Sequence, residues 1–259
     1  MALSLMALVV TSTAFAQDSK LRRLASGIEA SEWEAVGRLN LGETGFCTGA
    51  LIADDMVLTA GHCLFDKETG ERIPTDQIEF LAGWRDGRAS AYRSVKQAVL
   101  HPDYDRDELT RAAQMRYDLA LLRLDHPIRD GRIKPFATAT RPRRGAHVAL
   151  VSYGKGRAEA PSMQDMCRVI GQQDGVLVTS CSVEFGSSGA PIFVIDRGDV
   201  HIVSVVSAKA EVDGQAVSLG TSLGTPLAQL QAELVAQAQQ GNVRVGAPRK
   251  DTGAKFVKP

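Results

Sequence analysis

Residues 46–63 read "FCTGALIADDMVLTAGHC". The run from Gly49 to Ala60 is rich in Leu, Ile, Val and Thr around a pair of aspartates, the composition of two strands and a turn. Cys47 and Cys63 stand near its two ends, where one bridge would tie the hairpin down. His62 sits beside the second cysteine, at the end of a strand-like segment, and is a candidate base.

Segments of the same character recur on both sides. They include "AVGRLNL" (35–41), "QIEFLAG" (77–83), "DLALLRL" (118–124), "HVALVSYG" (147–154), "GVLVTSCSV" (175–183), "APIFVI" (190–195) and "HIVSVVSA" (201–208). Turns of Gly, Asp, Asn and Pro separate them and no βαβ alternation occurs, so an all-β, antiparallel barrel or sandwich architecture is expected. One segment departs. "TPLAQLQAELVAQAQQ" (225–240) carries Leu227, Leu230, Leu234 and Ala238 at helical spacing, with Thr225 suited to the N-cap and Pro226 to the first turn. The polar, basic stretch 241–259 is expected to be a disordered tail.

Thirty Lys and Arg against thirty Asp and Glu give a formal net charge of zero, which argues against nucleic acid or a membrane surface as partner. The N-terminus, "MALSLMALVVTSTAFAQ", has an apolar run and an Ala14-Phe15-Ala16 cleavage signal before Gln17, although no Lys or Arg precedes the run. Residues 1–16 are therefore expected to be a signal peptide, and the protein to be secreted or periplasmic. The apolar run is too short to span a bilayer. Export agrees with the four cysteines, an even number whose order favours the bridges Cys47–Cys63 and Cys167–Cys181. Their spacing does not suit a metal site, and no metal is expected.

Two further stretches carry chemistry. "SCSVEFGSSGAPIF" (180–193) sets Ser187 and Ser188 between two glycines, and in "YDLALL" (117–122) Asp118 directly precedes an apolar strand. A nucleophile, a base and an orienting acid are what a hydroxyl needs to attack a carbonyl at neutral pH.

With "FCTGALIADDMVLTAGHC" (46–63), "VLHPDYD" (99–105), "YDLALLRLDHPI" (117–128) and "GSSGAPIF" (186–193) in this order, the chain resembles the trypsin/chymotrypsin-like serine proteases over roughly residues 26–240. The resemblance implies two six-stranded antiparallel barrels of chymotrypsin type with a C-terminal helix, forming a domain over 27–240 that divides near 130–145. It implies that His62 is the general base, that Asp118 orients it, and that Ser188 is the nucleophile. The backbone N–H groups of Gly186 and Ser188 would form the oxyanion hole. Asp118 would also meet a serine of the strand 202–209, Ser207 in the favoured register and Ser204 in the competing one. The primary substrate pocket would lie between residues 182–185 and 207–209, with Ser207 and Lys209 as substrate-binding residues. His101 falls on a non-catalytic position, and Trp33 and Trp84 read as packing residues.

Departures from the family are informative. In the trypsin branch an aspartate directly precedes the nucleophile and receives the N-terminal amine freed by zymogen cleavage, whereas here that position is Ser187. The cysteine pair at 167 and 181 is more similar to secreted bacterial enzymes of the glutamyl endopeptidase branch. The residue before Ser207 is Val206, where that branch carries a histidine. "ASGIEASEWEAVGRL" (25–39) is similar to a mature N-terminus of the family, which implies a short propeptide over 17–26. The expected function is peptide-bond hydrolysis through a Ser-His-Asp triad and an acyl-enzyme by a monomer that needs no cofactor. Activity would rise with pH as His62 loses its proton near the ordinary histidine range. The alternative is a protease-fold module that binds a partner without turnover.

Overall fold

The structure, a computed structural model, describes residues 20–43, 45–107, 111–140 and 142–242. The expected signal segment, residues 17–19 and the tail from 243 onward lie outside the described residues.

A two-residue strand β1 (Arg22–Arg23) and a short helix α1 (Gly27–Ser31) lead into the first barrel. It comprises β2 (Val36–Leu41), β3 (Phe46–Ala53), β4 (Met56–Thr59), β5 (Ile78–Ala82), β6 (Ala91–Leu100) and, after helix α2 (Arg111–Arg116), β7 (Ala120–Leu124). The strands close in the order β2-β3-β4-β7-β6-β5 through antiparallel pairs. A two-residue strand β8 (Ala137–Thr138) precedes the second barrel, formed by β9 (His147–Ser152), β10 (Ser162–Gln173), β11 (Val176–Thr179), β12 (Pro191–Asp196), β13 (Asp199–Val212) and β14 (Gln215–Ser222). Pairing of β9 with both β10 and β12 closes this ring, while β1 adds to β10 and β8 runs parallel to β13. Helix α3 (Gly224–Asn242) returns to lie against β6 and β7 of the first barrel. The architecture is thus all-β, two closed six-stranded antiparallel barrels with a C-terminal helix, as expected.

The barrels exist because each contributing segment has an apolar face to hide. Leu39, Leu51, Leu58, Phe80 and Leu121 are each at most 1% exposed inside the first, and Leu150, Ile192 and Val203 are each at most 2% exposed in the second. Along α3 the stripe Leu227, Leu230 and Leu234 is buried, so the helix forms by docking its leucines rather than by propensity alone. Its bounds differ from the expected ones by one residue at the start and two at the end. Trp33 is buried edge-on to Phe193 with ring centroids 5.1 Å apart, and Trp84 packs on the same core.

Three long strands escape the simple composition rule. β6 carries Tyr92, Arg93, Ser94, Lys96 and Gln97 beside its few buried residues, β10 carries Gln164, Asp165, Arg168, Gln172 and Gln173, and β14 contains Gly220 among Ser218, Thr221 and Ser222. They become strands because neighbours on both sides supply hydrogen-bond partners, a tertiary effect that outweighs local preference. In 175–183 only Val176–Thr179 is a strand, since the chain then leaves the sheet toward Ser188.

Both disulfides form in the expected pairing, Cys47–Cys63 and Cys167–Cys181. The latter closes a loop with a sequence separation of 14 residues. Replacing both Cys167 and Cys181 by alanine is expected to lower the unfolding free energy by about 3 kcal/mol, the loop-closure value for this length. Equilibrium denaturation in urea checks it, and an unchanged midpoint would show that this bridge constrains little.

Candidate active site

The first barrel brings His62 and Asp118 together through strand register. β4 and β7 are antiparallel with Thr59 opposite Ala120, so extending the ladder two steps sets Gly61 against Asp118. A 3₁₀ turn, Gly61–Leu64, then carries His62 over the carboxylate while the Cys47–Cys63 bridge anchors the turn to β3. Asp118 Oδ1 accepts the His62 backbone N–H at 2.7 Å, and Asp118 Oδ2 lies 2.7 Å from His62 Nδ1. Asp118 is 3% exposed, whereas the His62 side chain keeps 29% of its surface open.

A third donor reaches Asp118 from the second barrel. β13 pairs Val206 and Ala208 with consecutive residues of β14, so Ser207 is the extra residue of a β-bulge. A bulge re-aims one side chain out of the regular alternation, and here the Ser207 hydroxyl donates to Asp118 Oδ2. Ser204, the competing residue, is fully buried and donates to the Thr221 carbonyl at 2.8 Å.

These contacts govern proton affinity at His62. Burial of the imidazole pulls the His62 pKa down, but the charge and hydrogen bond of Asp118 outweigh it, and Lys67 nearby lowers it slightly. The net result is a pKa above the ordinary histidine value, rather than near it as the sequence led one to expect. Neutral His62 can accept a proton on Nε2 because Asp118 holds Nδ1–H.

Ser188 lies in the loop between β11 and β12. Thr48 supports this loop from the other barrel, its N–H bonding the Ser188 carbonyl at 2.8 Å and its hydroxyl the Gly186 carbonyl at 2.8 Å. The carbonyl of Phe185 accepts from Lys155 N–H, and that of Ser187 from Ala190 N–H. The carbonyls of the loop are thus committed, while the N–H groups of Gly186 and Ser188 have no partner among the described residues. Gly186 adopts φ +94°, and a Cβ there would stand 2.3 Å from the Phe46 ring, so only glycine fits. The Ser188 hydroxyl likewise has no hydrogen-bond partner among the described residues and is free to turn.

His62, Ser188, Ser207 and Lys209 line one cavity of about 260 Å³, walled by Val183, Phe185, Val206 and Ala208. Two neighbouring hollows of about 280 and 290 Å³ share His62 and continue past Tyr104, so the site is an open cleft. Lys209 is paired to Glu184 at 3.2 Å, its charge already engaged. A larger hollow of about 750 Å³ beside Lys20, Arg144 and Arg168 contains none of these residues, and here chemistry rather than volume identifies the site. Cys47, His62 and Cys63 lie close enough to suggest metal ligands, but the disulfide consumes both sulfurs. His101 is buried 4.8 Å from Tyr117 in a ring stack, with Nδ1 accepting Asp103 N–H at 3.1 Å, a structural role. Lys67 and Tyr104 were not singled out by sequence reading, because a lysine or tyrosine in a polar loop has no local mark of facing a histidine.

The family model described as Trypsin matches residues 26–221. Among curated proteins, a granzyme M of Rattus norvegicus is 28% identical over 65% of the chain and 67% of its own length. An uncharacterized peptidase of Corynebacterium glutamicum is 25% identical over 71% and 60%. Trypsin 5G1 of Aedes aegypti is 29% identical over 41% and 36%, so the chain spans only part of the relatives that it matches. A solved structure of a Glu endopeptidase in complex with MPD is similar in fold, with a TM-score of 0.68 at 16% identity, covering 87% of this chain and 100% of the other.

Proposed function

The chain belongs to the trypsin family, and on that premise we propose that it is an exported serine endopeptidase working through His62, Asp118 and Ser188. The observation that carries this reading is the relay of Ser207, Asp118 and His62 opening onto the cavity that Ser188 also lines.

In this mechanism Ser188 Oγ attacks the scissile carbonyl carbon while its proton passes to His62 Nε2. The carbonyl oxygen gains negative charge and is met by the free N–H groups of Gly186 and Ser188, each able to contribute roughly 3–4 kcal/mol in a dry site. Collapse breaks the C–N bond, the departing amine takes the proton from His62, and the acyl group stays on Ser188. Water, deprotonated by the same imidazole, releases the acid. Peptide and protein chains fit an open cleft as substrates. Export is supported by the two disulfides, and no described helix is long and apolar enough to cross a membrane.

The test is incubation of the purified protein with a fluorophosphonate probe, wild type beside Ser188→Ala, read by intact mass. One adduct on wild type alone supports the reading; no adduct on either sinks it and favours a binding module.

The pH dependence follows from the direction of the His62 shift. Only the neutral imidazole is a base, and its pKa is raised, so kcat/KM should climb with a midpoint above about 6.5, the ordinary histidine value. The interaction of protonated His62 with Asp118 stabilises the fold fully below that value and is lost as pH rises through the raised pKa, so activity appears as this stabilisation fades. In Lys67→Ala the midpoint should move further up, because a neighbouring positive charge has been removed. A pH–rate profile of both proteins decides, and a shift downward would contradict the assignment.

A further inference from the structure

Ser187, beside the nucleophile, is fully buried and its hydroxyl is saturated. It receives the Arg157 guanidinium Nη2 at 2.8 Å and the Glu184 N–H at 3.2 Å, and donates to the Tyr153 carbonyl at 3.1 Å. Arg157 is itself held, Nη1 on the Ser152 carbonyl at 2.5 Å and Nη2 on the Ser152 hydroxyl at 2.9 Å. The seat is shaped for it, since a Cβ on Gly154 would stand 2.8 Å from the guanidinium carbon. Burial pulls the Arg157 pKa down to about 10, with Glu184 opposing, so the group stays charged at neutral pH. A cation therefore already occupies the floor of the loop whose N–H groups face no partner.

Among the described residues, the N-terminal segment brings no cation to this loop, since Arg22 pairs with Glu29 and Asp165 and Arg23 with Asp86. Arg22 and Arg23 pair with Met163 and Ser162 of β10, Leu24 is fully buried with its N–H on the Pro161 carbonyl at 3.0 Å, and Ser26 caps α1 in a reciprocal box with Glu29. Ile28, which a cut after residue 26 would leave as the second residue of the chain, is 87% exposed on that capped helix. Cleavage before Gly27 would cut a built part of the fold and leave the new amine in solvent. The propeptide expectation for 17–26 therefore meets residues 22–26 that are woven into the second barrel and the helix cap.

We propose that Arg157 is the positioning residue of the nucleophile loop, an internal cation that holds Ser187 and through it the Gly186 and Ser188 amides, so that the site is assembled with residues 20–26 still attached. The proposal rests on the serine-peptidase reading and adds how that site is switched on. No N-terminal cut is needed.

The experiment measures the fluorophosphonate acylation rate, and kcat and KM on a peptide, for full-length wild type, Arg157→Ala and Arg157→Lys, with each N-terminus determined by intact mass. Wild type retaining residues 20–26 is expected to label fully. Arg157→Ala should acylate about 10²-fold more slowly, with kcat falling while KM stays within about threefold, the pattern of a misplaced oxyanion hole. Arg157→Lys, which keeps the charge, should recover about tenfold of that loss. An unchanged rate in folded Arg157→Ala would overturn the proposal, as would wild type that labels only after loss of residues through Ser26. If Arg157→Ala does not fold, the reactivity of uncut wild type still decides. A wild type that never labels, whatever its N-terminus, overturns the peptidase reading and this proposal with it, whereas labelling without dependence on Arg157 overturns this proposal alone.

Discussion

Ser188→Ala is expected to lower kcat on a peptide substrate by about 10⁶-fold while leaving KM and the folded state nearly unchanged. The chemical half follows from the loss of the group proposed to form the acyl bond. What remains is binding and the free N–H groups of Gly186 and Ser188, which together sustain about 10³–10⁴-fold over water. The structural half follows from the surroundings: the Ser188 hydroxyl has no hydrogen-bond partner among the described residues, so its removal strands no buried group. Unfolding free energy should therefore move by less than about 0.5 kcal/mol, the ordinary range for such a change. Steady-state kinetics beside a thermal melt separate the two halves. A variant that kept more than one per cent of wild-type kcat would show that another group, such as the buried Ser187, performs the attack.

Asp118→Asn should cost about 10⁴-fold in kcat and also weaken the fold. Asp118 accepts from three donors, the His62 N–H, the His62 Nδ1–H and the Ser207 hydroxyl. An amide has one acceptor oxygen, and its NH₂ must face at least one of those donors. The imidazole then favours the tautomer whose proton sits on Nε2, the atom that must receive the Ser188 proton. A buried donor left without its acceptor costs about 1–3 kcal/mol, so the melting midpoint should fall as well. Removing the charge also removes what raises the His62 pKa, and the residual activity should titrate at lower pH than in wild type. If the pH–rate profile of Asp118→Asn kept the wild-type midpoint, the shift at His62 would need another cause.

The all-β class of the fold was legible in local signals, and the three residues proposed to carry the chemistry were legible in four blocks whose order resembles one family. The hairpin at 46–63 places an apolar alternation, two cysteines and His62 within a span that one turn and one bridge define. Asp118 is marked by standing one step before an apolar strand, and Ser188 by glycines on either side. The leucine spacing of α3 is equally a property of neighbours along the chain. Strands β6, β10 and β14 were not legible, because their residues pair well only when other strands already flank them.

Only the tertiary structure shows how Ser207 rather than Ser204 reaches Asp118, since the bulge that turns Ser207 toward Asp118 arises from the register of β13 on β14 and leaves no mark in composition. It alone set the direction of the His62 shift, a balance between desolvation and one carboxylate 56 positions away. The same holds for Arg157. Thirty residues separate it from Ser187, and its sequence, "GKGRAE", reads as a solvated turn until the fold lays the guanidinium beneath the nucleophile loop. Local chemistry is written in spacing, whereas an electrostatic partner is defined by distance in space, which folding decides.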